Sequence, residues 1–343
     1  MLTLHLTNGD FAASALARSG LPGDIVSWRD LLHDGSVPPD DDLGAFRGVR
    51  AEFLASRGWS SPAAAAADFE QRDARLDDVR GDDEVVLWFE PDLYDQLQLI
   101  QLLARFARRA AAERPRITIV PADCYLGPLL PEKFAPLYHL RRTVTDDDLR
   151  HGTAAWAAFT ASTPDELLAV TDRLDREVYA RTYASDDSVR LPHLVAALRR
   201  QLEEYPDLDS GLSRSERQLC EALSPGVITL GKLFAAHQAT ESWVWLGDAS
   251  FAWYAERLSD CAHPIVVHTN GSRVIAPQRD TDSRAFWERA VQLTPFGQDV
   301  VRARADAVAA NGIDRWIGGT HCTNGRYWRW DARTQCTAPF PRT

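Results

Sequence analysis

Strand and helix patterns alternate along residues 1–150 of this 343-residue chain, and few folds accommodate that order. Short segments rich in apolar and β-branched residues, at positions 2–7, 25–28, 84–89 and 117–120, are typical of strands, and apolar residues at helical spacing lie between them. Because helices that join successive strands make right-handed crossovers, this order predicts a parallel sheet with helices on both faces. The expected fold class is α/β, with a Rossmann- or flavodoxin-like sheet.

Polar side chains follow three of these four strands at the point where each strand ends. In a parallel sheet the carboxyl ends of the strands share one edge, where such folds usually bind their ligands. We therefore expect residues that are distant in sequence to converge on one crevice. The candidate residues are His5, Asn8, Gly9, Asp10, Asp30, His33, Asp34, Glu90, Asp92 and Gln96.

The segment after the first strand offers groups that suit an anion, a hydroxyl or a metal. Gly9 and Asp10 open a helix whose free N–H groups can hold an anion, and the side chain of Asn8 or Asp10 can bind a hydroxyl or a metal. His5, within the strand, is a candidate base or ligand. In the alternative, Asp10 is only a helix N-cap, Gly9 makes the turn, and His5 is a hydrogen-bonded core residue. The chain contains neither a GxGxxG fingerprint nor a P-loop.

Two further clusters lie after the second and third strands. His33 can pair with Asp34, as in general-base catalysis or metal ligation, although acidic loops are common without either function. Glu90 follows the aromatic end of a buried strand, where a raised pKa would suit acid/base work, with Asp92 and Gln96 as ligand-binding neighbours. In the alternative, Asp92 only caps the next helix, and Asp95 and Gln96 face solvent.

Composition limits the cofactors and partners. Five widely spaced cysteines without a CxxC pair argue against a disulfide framework and against a cysteine zinc site, and they fit a reducing cytoplasm. The oxygen-rich candidate residues would suit Mg²⁺ or Mn²⁺, so a divalent metal is an open alternative and the cofactor is not determined. A net charge of −11 disfavours nucleic acid without excluding a local basic patch. The N-terminal segment lacks signal-peptide features and no apolar run is long enough for a membrane span, so we expect a cytoplasmic protein.

We expect three regions: an α/β ligand-binding domain at 1–144, a helical connector at 145–205 and a winged-helix-like region at 206–335. Three helical patterns in the last region lead to a predicted hairpin around a Thr-Asn-Gly turn at 269–271, and a similar hairpin is predicted around a second such turn at 323–325. Five basic and six acidic residues between positions 211 and 275 give no basic face for DNA, which favours a packing or protein-contact role. The last hairpin, which carries WRWD at 328–331, could be a homodimer contact or could simply cover the core.

Five distinctive motifs are spread along the chain: HLTNGD at 5–10, LWFEPDLYDQL at 87–97, GLSRSER at 211–217, RWIGG at 315–319 and WRWD at 328–331. With these motifs the chain resembles a bacterial family catalogued as domain of unknown function 1835, often followed by a second uncharacterised domain. The resemblance covers nearly the whole chain, and it implies no reaction and no catalytic residues.

These observations predict an enzyme, a hydrolase or a transferase, that binds a small polar or phosphorylated, nucleotide-like ligand. Glu90 would be the proton donor or base, His5 or His33 its partner, and Asn8 with Asp10 would orient the ligand. The remaining ligand-binding candidates are Gly9, Asp34, Asp92 and Gln96, and the arginines that could supply positive charge are Arg47, Arg50, Arg141 and Arg142. The alternatives are a ligand-sensing regulator whose winged units contact DNA or a protein, and a scaffold without catalysis.

Overall fold

The computed structural model describes residues 2–183, 191–278 and 281–340. It has a mixed α/β architecture built on a five-stranded sheet, in which the first four strands along the chain run parallel and the fifth is antiparallel. The elements of this region are β1 (Thr3–Thr7), α1 (Asp10–Ala17), β2 (Asp24–Ser27), α2 (Leu43–Ser56), α3 (Pro62–Asp77), β3 (Glu84–Trp88), α4 (Leu93–Ala107), β4 (Arg116–Ile119), α5 (Phe134–His139) and β5 (Arg142–Thr143). The expected α/β class and all four predicted strands are confirmed.

Helices cover both faces of the sheet, whose strand order is β2-β1-β3-β4-β5. Successive residues of a strand point to opposite faces, and the two faces join different hydrophobic clusters. The face in the main core carries Leu4, Leu6, Val85 and Leu87, together with the apolar side of α4. The other face carries Val86 and Trp88, which pack with residues of α1 and α5. This burial on both sides explains why β3 is apolar throughout after Glu84.

Three helices follow the sheet, α6 (Asp146–Phe159), α7 (Asp165–Tyr183) and α8 (Leu194–Leu202). The α6 helix packs directly on α4, where a Cβ added to Gly152 would lie only 2.4 Å from the Leu103 side chain. The close approach therefore requires glycine at position 152. These helices occupy the segment in which the sequence predicts a helical connector, and their apolar residues belong to the main core of the sheet.

The C-terminal region contains two further structural groups. The first has helices α9 (Arg214–Leu223), α10 (Leu230–Gln238) and α11 (Asp248–Ser259) with a small antiparallel sheet of order β6-β8-β7. Its strands are β6 (Ile228–Thr229), β7 (Val266–His268) and β8 (Ala290–Leu293), with α12 (Arg284–Glu288) before β8. The second has α13 (Pro295–Val301), α14 (Ala307–Asn311), β9 (Asp314–Ile317), β10 (Thr320–Thr323), β11 (Tyr327–Asp331) and β12 (Cys336–Phe340).

The first predicted C-terminal hairpin was wrong in its strand pairing, and the second forms only as a tight turn with one antiparallel bridge across it. The turn at Asn270 and Gly271 does form, but β7 pairs with the distant β8, and the segment at 274–275 is not a strand. In the second case β9 pairs with β10 around Gly318 and Gly319, and β11 pairs with β12. The turn residues were recognised correctly, but a turn motif does not fix which strand the returning chain will meet.

None of the helices in the described parts of the chain combines the length and the apolar character that crossing a bilayer requires.

Candidate functional site

The end of β3 and the start of α4 bring three buried carboxylates together. Asp92 is the N-cap of α4, and its side chain accepts a hydrogen bond from the backbone N–H of Asp95 at 3.1 Å. One oxygen from each of Glu90, Asp92 and Asp95 lies within 4.8 Å of the others. All three residues are buried, and Asp95 has no exposed surface. We call these three residues the carboxylate cluster.

Residues from both neighbouring strands hold the cluster in place. Asn8, directly after β1, donates from Nδ2 to Asp95 Oδ1 at 2.8 Å. The backbone N–H of Leu126, in the segment after β4, donates to Glu90 Oε1 at 2.7 Å. Within the cluster, the backbone N–H of Glu90 donates to Asp95 Oδ2 at 2.5 Å. The segments that follow β1, β3 and β4 therefore meet at one point, whereas the sequence predicts such a meeting for the segments after β1, β2 and β3.

Burial without a counter-ion raises the pKa values of the cluster. Desolvation raises the pKa of Glu90, against the opposing effect of hydrogen bonds from Leu126, Asn8 and Gly127. Desolvation, with the nearby charge of Glu90, raises the pKa of Asp92 to about 7. The pKa of Asp95 is raised well above its ordinary value by burial and by both neighbouring carboxylates. In the described parts of the chain, none of the three forms an ion pair with a basic side chain.

The same three oxygens are those that could hold a metal. Among the described residues, this is the one cluster of three or more potential metal-ligating groups. Carboxylate oxygens suit Mg²⁺, Mn²⁺ or Ca²⁺ better than softer metals. The raised pKa values favour the protonated forms of these carboxyl groups, and a bound divalent cation would compete with protons for the same oxygens.

We expect the variant Asp92→Asn to be more stable than the wild type in mildly alkaline solution. Because the pKa of Asp92 is raised from 3.8 to about 7, the folded state binds this proton more tightly than the unfolded state does. The resulting contribution to stability is complete below pH 4 and is lost as the pH rises to 7. Three pKa units correspond to a gain of up to about 4 kcal/mol above pH 7 in the variant, and to little change near pH 4. Asparagine retains the N-cap. Chemical denaturation as a function of pH measures the effect.

The matched control is Asp42→Asn, the same change at the exposed N-cap of α2. It should show no stability gain that grows with pH. If Asp92→Asn were less stable than the wild type at alkaline pH, the negative charge on Asp92 would not destabilise the fold, and this prediction would be wrong.

The structure places His33 and Asp34 in a buried contact between the loop after β2 and α11. Ser250 donates to Asp34 Oδ2 at 2.6 Å, and Tyr254 donates to Asp34 Oδ1 at 2.9 Å. His33 Nε2 lies 3.4 Å from both Ser250 Oγ and Asp34 Oδ2. Because the hydroxyl proton of Ser250 is given to Asp34, this grouping is not the arrangement of a nucleophilic triad.

This contact fixes the C-terminal region over the carboxyl edge of the sheet. Burial alone would raise the pKa of Asp34, but His33 and the two hydroxyl donors, Ser250 and Tyr254, lower it below its ordinary value. The ring of His33 lies edge-on to Tyr94 and to Trp245. The grouping therefore joins the two regions beside the carboxylate cluster.

His5 lies away from the carboxylate cluster, on the sheet face covered by α1 and α5. Trp88 Nε1 donates to His5 Nδ1 at 3.1 Å, so Nε2 carries the proton and donates to the Pro22 carbonyl at 3.1 Å. The hydrogen bond that Nδ1 accepts requires a neutral ring, and burial lowers the pKa of His5 in the same direction. Both ring nitrogens are occupied, which matches the alternative of a hydrogen-bonded core histidine.

The other sequence-predicted residues are divided between the cluster and the surface. Gln96 is buried, contrary to the alternative of a solvent-facing side chain, and donates to the Glu90 carbonyl at 2.8 Å. Gly9 occupies the N-cap position of α1, where glycine has no side chain to cap the helix. Asp10 is exposed and pairs with Arg29, which also pairs with Asp68.

The arginines considered for anion binding are all engaged in ion pairs with carboxylates. The fully buried Arg50 pairs with Asp30, and the other pairs are Arg47 with Asp73, Arg141 with Glu84 and Arg142 with Asp148. They hold the structure together and none of them lies in the carboxylate cluster.

The sequence analysis considers Asp95 only as a solvent-facing residue, and it does not identify Tyr94 or the backbone donor Leu126. For Asp95 a signal existed, because carboxylates three residues apart at a helix start share the first turn, as in a capping box. Tyr94 donates to the Asn8 carbonyl at 3.0 Å and lines a pocket of about 470 Å³. No local pattern identifies such a pocket-lining residue or a single backbone N–H.

Comparison with known proteins adds no identification. No protein-family model matches the chain, and no curated protein matches it. The resemblance to domain of unknown function 1835 therefore stays a prediction.

Proposed function

We propose that the protein is an enzyme that binds a small polar ligand at the carboxyl edge of its parallel sheet and acts on it by acid/base chemistry. The observation that carries this proposal is the carboxylate cluster, three buried acids within 4.8 Å of one another. Groups with strongly shifted pKa values concentrate at functional sites, because an uncompensated buried charge costs stability and needs a reason to persist.

The cluster can exchange protons near neutral pH. Asp92, with a pKa of about 7, changes charge in the range where a general acid or base is most effective. Glu90 is the proposed proton donor or base, in hydrolysis or in group transfer. Asn8 is a positioning residue, since its amide orients Asp95. If Mg²⁺ or Mn²⁺ occupied the cluster, the carboxylates would hold the ion, and the ion would polarise the ligand in place of proton transfer by the carboxylates.

The sheet order supports a flavodoxin-like arrangement as the setting of this site. In the order β2-β1-β3-β4, the direction of strand addition changes between β1 and β3. Open α/β sheets bind their ligands at such a switch point, outside the carboxyl ends of the strands. Asn8 directly follows β1 and Glu90 lies two residues after the end of β3, so both are at this switch point.

We further propose that the first C-terminal group has a winged-helix arrangement that packs on the sheet region and does not read DNA. The succession of helices and the strand order β6-β8-β7 support the arrangement. Its third helix, α11, is buried along most of its length and contacts Asp34 through Ser250 and Tyr254. A helix in this position is not free to enter a DNA groove.

The test is a screen of the purified protein against nucleosides, nucleotides, phosphorylated metabolites and amino acids, with and without Mg²⁺ or Mn²⁺. A ligand at 100 times its dissociation constant should stabilise the fold by about 2.7 kcal/mol, which thermal denaturation detects. Mass spectrometry of the same mixtures should show that a stabilising compound is consumed. If no compound in any of these classes is bound or consumed, the proposed function is wrong.

A further inference from the structure

The pocket beside the carboxylate cluster lies at the ends of β1 and β2, between α3 and the start of α4. Its volume of about 470 Å³ is within the range of small-molecule sites. We call it the edge pocket. It is lined by Asp10, Arg29, Asp30, Leu31, Leu54, Trp59, Ser60, Ala64, Ala65, Asp68, Phe69 and Tyr94.

The edge pocket contains more carboxylates, which accept hydrogen bonds, than cationic groups to pair with them. Among its lining residues Arg29 is the one cationic side chain, and it is held by carboxylates on two sides, Asp68 and Asp10. Asp30 is neutralised by the buried Arg50, which donates to it at 2.8 Å. One guanidinium against the two remaining carboxylates gives the pocket a net charge of −1. A phosphate group would therefore meet repulsion, whereas hydroxyl or amino donors would find acceptors.

The other lining residues of the pocket are mainly apolar and aromatic. Trp59 has edge-to-face contacts with Phe53, at 5.8 Å between ring centroids, and with Trp253, at 6.1 Å. These contacts fix the orientation of its indole ring. Phe69 and Leu54 also line the pocket. A planar ring on the ligand would pack against this surface, since aromatic side chains favour such contacts.

We propose that the edge pocket binds a nucleoside without a phosphate group. Its base would lie against Trp59 and Phe69, and its ribose hydroxyls would donate to Asp10 and Asp68. Carboxylates commonly bind ribose hydroxyls at the strand ends of open α/β sheets. This inference rests on the proposed function, because it assigns a ligand class to the same edge of the sheet.

The test compares adenosine with adenosine 5′-monophosphate by isothermal titration calorimetry. We expect adenosine to bind the wild type at least about tenfold more tightly than the monophosphate, and Trp59→Leu to weaken adenosine binding. In Asp68→Asn, adenosine should bind about tenfold more weakly, because one charged acceptor is lost. The monophosphate should bind this variant more tightly than the wild type, because Arg29 is partly released.

Glu70→Gln is the matched control, since Glu70 is an exposed acid on the same helix and does not line the pocket. It should leave both affinities unchanged. The assignment is overturned if the monophosphate binds the wild type as tightly as adenosine does, if inorganic phosphate displaces adenosine, or if adenosine does not bind.

The two proposals fail in different ways. Adenosine should still bind to Glu90→Gln, because Glu90 does not line the pocket. If adenosine binds and no compound is consumed, the ligand class stands and the enzymatic proposal fails. If a different compound is consumed and adenosine does not bind, the enzymatic proposal stands and the ligand class is wrong.

Discussion

Replacing Glu90 by glutamine is expected to lower the rate of turnover by about 10²- to 10⁴-fold, the range over which general acid/base groups contribute to catalysis. Glutamine has the same shape and can keep the hydrogen bond that Glu90 Oε1 accepts from Leu126 at 2.7 Å. It cannot take up or release a proton at neutral pH. The measurement is the rate of consumption of the compound found in the screen.

The fold of Glu90→Gln should remain intact, because the substitution removes a buried charge without changing volume. Thermal denaturation and circular dichroism check this point. Glu113→Gln, at an exposed position, is the matched control and should retain the wild-type rate. A folded Glu90→Gln protein with an unchanged rate would remove Glu90 from the proposed chemistry.

Asp92→Asn adds an independent kinetic readout. Because the pKa of Asp92 is about 7, its ionisation should produce a limb of the pH–rate profile near neutrality. The variant should lose or displace that limb. A merely structural role for Asp92 would change the rate without moving the profile.

Replacing Arg50 by alanine is expected to destabilise the fold by about 3–5 kcal/mol. Arg50 has no exposed surface and donates to Asp30 and to the carbonyls of Leu31, Asp34 and Ser36. These bonds fix the loop after β2. The variant would leave the carboxylate of Asp30 buried without its counter-ion and three carbonyls without this donor. Equilibrium unfolding in urea measures the loss.

The double variant Arg50→Ala with Asp30→Asn should recover part of the lost stability, since it no longer buries an unpaired charge. Arg18→Ala, at an exposed position, should change stability by less than about 0.5 kcal/mol. Limited proteolysis within residues 30–36 should increase in the single variant. A loss for Arg50→Ala as small as that for Arg18→Ala would contradict the role assigned to this ion pair.

Much of the sheet region was predictable because its signals are local. The apolar run from Val85 to Trp88 and the helical spacing of Leu97, Ile100 and Leu103 predicted β3 and α4. The capping box of Ser213 and Glu216 at the start of α9 is a local signal of the same kind. Periodicity and capping depend on residues only a few positions apart, so a single sequence contains the information.

Strand partners and site geometry were less accessible. The turn at Gly271 has a positive φ of 81°, as its Asn-Gly motif predicts, yet β7 pairs with β8 across a long insertion. Pairing depends on which edges the packed helices leave free, and the turn does not determine that. In the same way, no local pattern shows that Trp88 occupies one ring nitrogen of His5.

The sequence by itself determined the order of strands and helices and the arrival of Asn8 and Glu90 at one edge of the sheet, because chain order and parallel pairing are sufficient for that. Only the tertiary structure decided that Asp95 joins Glu90 and Asp92 out of water, and that α11 lies against Asp34. The physical reason is burial. Whether a carboxylate is exposed, paired or left without a counter-ion depends on the elements that pack over it, and these come from distant parts of the chain.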